Sequence, residues 1–322
     1  MSELSNEQVS WFAQQAANLS SSIQQVIRGK SQVVDLVVVA LLSEGHILLE
    51  DVPGTGKTTL ARAVAESIDG SWKRIQFTPD LLPSDVTGAQ VFSQATGSFE
   101  FHQGAVFANI VLADEINRAS PKTQSALLEV MEERQHTIDA QTYPMLRPFI
   151  VVATQNPVEQ DGTYRLPEAQ LDRFLLKTSL GYLSLESEVE VLASAGSRKA
   201  HATAALTASD IRDLISIADR VHAEPSILSY IAQLAAQTRD HPLLRLGVST
   251  RGGMALLRAA RARAAMSGQT YVTPDHVQSL VGPIFGHRML LTPEAELKRA
   301  DTSEIVAELV TQVPAPSARV AR

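Results

Sequence analysis

Apolar and polar positions in the first half of the chain alternate between two periods. Strand-length segments at 46–50, 73–77, 109–113 and 149–154 are separated by 57–68 and 121–134, where apolar residues recur at helical spacing. Strands alternating with helices predict an α/β fold around a parallel sheet. Ahead of the sheet, Val9, Phe12, Ala13, Ala16 and Leu19 mark an amphipathic helix within 1–22. The apolar run from Val33 to Leu42, broken by Asp35, reads as a helix packed on the sheet and is too short to span a bilayer. Two stretches break the alternation. Residues 83–103, with Gly88, Gly97, Val91, Phe92, Phe99 and Phe101, predict an inserted hairpin or helix, and 135–148 predict a second hairpin. Beyond Gly181-Tyr182 the composition turns Ala-rich. Helical spacing runs through 185–195, 208–222, 224–238, 250–267 and 274–281, without strand-like alternation. The pattern divides the chain into an N-terminal helix (1–22), an α/β core (23–182), an all-helical domain (183–313) hinged near 180–184, and a Pro-, Ala- and Arg-rich tail (314–322) expected to be disordered.

Candidate chemistry sits at the ends of the predicted strands. Asp51-Val52-Pro53-Gly54-Thr55-Gly56-Lys57-Thr58 follows an apolar strand and opens a helix. A strand, a Gly-bearing turn and a helix N-terminus make a phosphate cradle, because backbone amides converge there and the helix dipole favours negative charge. Pro53, Gly54, Thr55, Gly56, Lys57, Thr58 and Thr59 are the candidate nucleotide-binding residues. Lys57 can reach the β- and γ-phosphates, and the Thr58 hydroxyl can hold Mg²⁺. One position departs from the strict pattern: Asp51 stands where the first glycine is expected.

Downstream, Asn109-Ile110-Val111-Leu112-Ala113-Asp114-Glu115 reads as a buried strand ending in two carboxylates, at the edge where doubly wound sheets bind ligands. Asp114 would hold the metal and Glu115 would polarise the attacking water. Asn156, at the tip of the strand 149–154, can position water and γ-phosphate, or can simply form an Asn-Pro turn. Arg173, in Leu171-Asp172-Arg173-Phe174, is either a surface ion-pair partner or an arginine finger for a neighbouring subunit. Arg251 opens a helix in Ser249-Thr250-Arg251-Gly252-Gly253, where it is either incidental or a reporter on the γ-phosphate.

In this order, the motifs resemble those of an AAA+ ATPase. The segments Phe77-Thr78-Pro79-Asp80-Leu81-Leu82-Pro83-Ser84-Asp85, Ala113-Asp114-Glu115-Ile116-Asn117-Arg118-Ala119, Ala153-Thr154-Gln155-Asn156-Pro157 and Leu166-Pro167-Glu168-Ala169-Gln170-Leu171-Asp172-Arg173-Phe174 resemble the MoxR family more closely, over roughly residues 25 to 290. Arg165 stands where a more neutral residue is expected. The resemblance implies a P-loop parallel-sheet core with inserted hairpins and a helical lid. It also implies ATP and Mg²⁺ as ligands, with Val26 and Ile27 at the adenine. Arg251 would act in cis and Arg173 in trans, within a ring of identical subunits that is expected to be hexameric. The family further implies remodelling or activation of a client protein complex, with metal-cofactor insertion as one such task, alongside a von Willebrand factor A domain adaptor. A nucleic-acid motor, a metal-chelatase motor subunit and a slowly hydrolysing nucleotide-gated scaffold are the alternatives.

Composition narrows these classes. The net charge of −7 disfavours non-specific nucleic-acid binding. The absence of cysteine excludes disulfides and thiolate metal sites, and the eight histidines lack close metal-ligand spacing. The polar, acidic first residues are unlike a secretory signal, and the need for ATP points to the cytoplasm.

Overall fold

In a computed structural model, residues 4–138, 141–157, 163–164, 166–193 and 201–316 are described. Arg165 and the last six residues of the expected disordered tail lie outside them. The chain begins with α1 (Asn6–Gln24), α2 (Ser31–Leu42), β1 (Ile47–Glu50), α3 (Lys57–Glu66), β2 (Ile68–Asp69) and β3 (Trp72–Gln76). The first insertion follows as α4 (Pro83–Thr87), β4 (Gly88–Ser93) and β5 (Ser98–Gln103). Next come β6 (Ile110–Asp114), α5 (Pro121–Glu133), the second hairpin β7 (Gln135–Ile138) and β8 (Gln141–Pro144), and then β9 (Ile150–Gln155), α6 (Glu168–Leu171) and β10 (Leu176–Thr178). The remainder is α7 (Leu185–Ala193), β11 (Leu206–Thr207), α8 (Ala208–Asp219), α9 (Pro225–Arg239), β12 (Leu244–Leu246), α10 (Thr250–Met266), α11 (Pro274–Phe285), β13 (Leu290–Leu291), α12 (Pro293–Leu297) and α13 (Thr302–Gln312).

Packing separates two compact units. One comprises Asn18–Phe174 and Thr178–Arg212; the other comprises Met1–Ala17, Leu175–Lys177 and Asp213–Arg322. In the first, four strands lie in the order β1-β9-β6-β3. The pairs β1–β9, β9–β6 and β6–β3 are parallel, with Glu50 opposite Gln155, Ala113 opposite Ala153 and Gln76 opposite Asp114. Burial explains the order. All five residues of β6 are buried and only the last of β9 is not, which suits central strands, whereas β3 buries only Ile75 and takes the edge. α2 contributes Val34, Val37, Val38, Val39, Leu41 and Leu42, all fully buried, each stabilising by about 1.5–3 kcal/mol. His46 is a satisfied core residue. Its Nδ1 accepts from the Val151 amide at 3.0 Å and its Nε2 faces the Met131 carbonyl at 3.1 Å, as the neutral Nε2–H tautomer requires.

The first insertion contains both a helix and a hairpin. Phe92 and Phe99 pair edge-to-face across the hairpin at 5.4 Å, on an exposed surface. Phe101 contacts Tyr143 of the second hairpin at 4.3 Å, so the two insertions touch. α5 starts at Pro121 behind Ser120, whose hydroxyl accepts from the Thr123 amide. It ends one residue before the expected 134, where Arg134 turns left-handed.

In the second unit, α9, α10, α11 and α13 pack around small side chains, among them Ala255, Ala259, Ala260, Ala262, Ala264 and Ala265 of α10. α11 runs to Phe285, past Pro283 and beyond the expected end at 281. Two short strands here, β12 and β13, and β11 in the first unit occur where no alternation was visible, because two or three residues are too few to establish a period of two. Among the described residues, no helix is long and apolar enough to cross a membrane.

His276 caps α11. Its Nδ1 accepts from the Thr273 amide at 3.1 Å, and the side chain is buried. Burial, reinforced by the charge of Arg263, holds its pKa below the ordinary 6.5, so the folded chain resists a proton that the unfolded chain accepts. The resulting stability is complete above the unfolded value and is lost as pH falls through it towards the folded one. Thermal melts should therefore show a lower Tm near about pH 5.5 than near about pH 7.5, with a smaller drop in His276→Gln.

Candidate active site

The chain leaves β1 at Glu50, turns through 51–56 and enters α3 at Lys57. Gly54 and Gly56 have φ of +84° and +92°, angles that L side chains rarely adopt. A Cβ at either would meet nothing within 4 Å, so backbone conformation rather than crowding demands glycine. The unpaired amides at the start of a ten-residue helix then face the loop. Lys57 folds back over it, with Nζ donating to the Asp51 and Val52 carbonyls, each at 2.6 Å. The Thr55 hydroxyl donates to the Val52 carbonyl at 3.2 Å, while Pro53 is exposed and Thr59 half-buried.

Asp51 has work that a glycine could not do. Its Oδ1 accepts from the Val52 amide at 2.8 Å and its Oδ2 accepts from the Gly181 amide at 2.6 Å. The start of the loop is thereby tied to the segment after β10. Lys30 Nζ donates to the Tyr182 carbonyl at 2.6 Å in the same region.

Beside the loop, β6 delivers Asp114, which is buried. The Thr58 hydroxyl lies 3.2 and 3.1 Å from its two oxygens. Thr154, fully buried on β9, donates its hydroxyl proton to Asp114 Oδ1 at 2.6 Å. It accepts the Glu115 amide at 2.9 Å. Arg74 Nη2 meets Asp114 Oδ2 at 2.6 Å and also donates to Gln76 Oε1 at 2.7 Å. Glu115 adopts φ 56° and ψ 49°, a left-handed conformation that costs about 1–3 kcal/mol. Its Oε2 accepts from Gln76 at 2.9 Å and from Arg118 at 3.1 Å.

Asn156 is buried just beyond β9, between the strands that carry the loop and the acids, and its carbonyl accepts from Asn117 at 3.1 Å. Ile27 is buried and Val26 half-buried, in the turn that follows α1. Lys57, Thr58, Asp114, Glu115 and Asn156 thus converge at one end of the sheet. Arg173 is engaged elsewhere, with Nε donating to Glu132 of α5 at 2.7 Å. Arg251 is exposed on the first turn of α10, in the other unit, where Ser249 caps the helix. Sequence reasoning gave no role to Arg74, Gln76, Arg118 or Thr154. Arg74 and Gln76, two apart on β3, were the available signal, but the register of β3 against β6 was not readable.

A family described as "ATPase family associated with various cellular activities (AAA)" matches residues 46–176, and one described as "AAA lid domain" matches 236–309. Uncharacterized protein YeaC of Bacillus subtilis is 49% identical, over 93% of this chain and 94% of its own. Chaperone MoxR1 of Mycobacterium tuberculosis is 40% identical, over 91% of this chain and 80% of its own. The chain belongs to the MoxR family of AAA+ ATPases. The crystal structure of a candidate ATPase from Cytophaga hutchinsonii superposes with a TM-score of 0.89 at 37% identity, covering 97% of this chain and 98% of that one. The AAA+ architecture expected from the sequence, a parallel-sheet core followed by a helical lid, is borne out.

The residues of this MoxR-family site suit its implied ligands. Thr58 and Asp114 offer hard oxygen donors, as Mg²⁺ prefers. Among the described residues, no cluster of three His, Cys, Asp or Glu could hold a metal ion. The loop amides and Lys57 are N–H donors of the kind that a phosphate accepts from.

Asp51→Gly restores the strict loop pattern and removes a carboxylate hydrogen bond worth about 1.5–3 kcal/mol. Amide exchange at Gly181 should accelerate roughly tenfold or more while nucleotide still binds. Unchanged exchange would mean that the tie carries no weight.

Proposed function

We propose that the protein hydrolyses ATP at sites shared between identical subunits of a ring and uses the resulting motion to remodel client protein complexes. The observation that carries this reading is the Thr58 hydroxyl within 3.2 Å of both Asp114 oxygens, with Glu115 the next residue. Lys57 and the amides of 54–58 bind the phosphates, Thr58 and Asp114 hold Mg²⁺, and Val26 and Ile27 line the adenine. When bound, Mg²⁺ supplies charge neutralisation and Lewis acidity at the γ-phosphate. Asn156 orients a water, and Glu115 takes its proton as the water oxygen attacks γ-phosphorus. The bond to the β-phosphate oxygen breaks, yielding ADP and inorganic phosphate.

Arg251 contacts the γ-phosphate from the same chain, and Arg173 reaches it from the next subunit. Glu132, 2.7 Å from Arg173 Nε, holds the stem of that finger. Heterologous contacts of this kind close into rings, and we assign six subunits. The name of the relative Chaperone MoxR1 supports a client-remodelling role. A von Willebrand factor A domain adaptor would bring the client, and the cytoplasm is the compartment that supplies ATP.

Glu115→Gln should bind ATP with near-normal affinity and hydrolyse it about a hundredfold more slowly, or less, as read by phosphate release and nucleotide titration. Near-normal turnover would remove Glu115 from the base role. Arg173→Ala should lower turnover without weakening nucleotide binding. Mixing it with Lys57→Ala should restore part of the activity, because mixed rings contain sites with both residues intact. No restoration at any ratio overturns the shared site.

A further inference from the structure

We propose that Arg74 is the resident counter-cation of Asp114: a positioning residue whose guanidinium competes with a divalent cation for that carboxylate. The inference rests on the ATPase reading above and assigns that site a residue that sets its metal affinity.

Arg74 and Gln76 are two apart on β3, so both side chains stand on one side of the strand. In register, Arg74 lies opposite Leu112 and Gln76 opposite Asp114, which carries the guanidinium along the sheet to the acid. Arg74 Nη2 reaches Asp114 Oδ2 at 2.6 Å, and Gln76 Oε1, 2.7 Å from the same nitrogen, steers it there. The other carboxylate oxygen is taken by the Thr154 hydroxyl at 2.6 Å, while Thr58 lies near both. Oδ2 is therefore the position open to exchange.

The two partners differ in exposure. The Asp114 side chain is 6% exposed and that of Arg74 is 48% exposed. The carboxylate is fixed in the core, whereas the cation arrives from the solvent side of an edge strand. It can swing out without opening the sheet.

A guanidinium and a divalent ion within a few ångströms of one oxygen repel each other, so Arg74 weakens binding of the bare metal. Phosphate charge arriving with the ion offsets that repulsion. The site thereby favours a metal–nucleotide complex over free metal, a discrimination that Thr58 and Asp114 alone would lack.

The test uses the full chain and Mn²⁺ as probe, counted by electron paramagnetic resonance without nucleotide. Arg74→Gln should bind Mn²⁺ about tenfold more tightly than wild type, and Arg74→Lys, which keeps the charge, should stay near wild type. Adding Asp114→Asn to Arg74→Gln should abolish the gain. The Mg²⁺ concentration that half-saturates fluorescent ATP binding should fall in parallel. Equal Mn²⁺ affinity in folded Arg74→Gln and wild type overturns the proposal, as does a gain that survives Asp114→Asn. Failure of the wild type to bind ATP at any Mg²⁺ concentration would sink the ATPase reading instead, and the nucleotide-free Mn²⁺ comparison would still decide the role of Arg74.

Discussion

The carboxylate of Asp114 joins segments that are remote in sequence. Thr58 comes from the first turn of the loop helix, Thr154 from the neighbouring strand and Arg74 from the edge strand, all within 3.2 Å of its oxygens. Thr154 also holds the Glu115 amide, so the two acids are positioned through one buried hydroxyl. Loss of any partner would leave a buried carboxylate under-satisfied, which costs more than the hydrogen bond itself contributes. The geometry of the sheet end depends on this node: β3, β6 and β9 must be in register, with α3 beside them, for the three side chains to meet.

That dependence explains what could be read from the sequence. Strand-length apolar runs with acids or an amide at their ends revealed the sheet and the residues at its tip, because burial and period leave a local trace. Lys57, Thr58, Asp114, Glu115 and Asn156 are legible for that reason. Arg74 and Thr154 are not, since their roles arise from pairing between strands whose partners are 38 and 40 residues apart. Asp51 looked like a flaw in the loop pattern. Its meaning required knowing that Gly181, 130 residues away, presents an amide to it.

The helical part was legible in outline only. Helical spacing identified α7 to α11, while the strand pair β12–β13 and the helices α12 and α13 were not anticipated. The β12–β13 pair joins Leu244 to Leu291 across the unit, a closure that no local pattern encodes.

Gly252 is crowded rather than free. A Cβ there would come within 2.5 Å of Val248 Cγ1 and 3.0 Å of Arg288 Cδ. Arg288 is itself pinned by the Leu175 and Ile284 carbonyls. The absence of a side chain at 252 thus lets α10 begin flush against a rigid wall, which fixes its rotation about its own axis. Even alanine at 252 would force Val248, Arg288 or the first turn of α10, which carries Arg251, to give way.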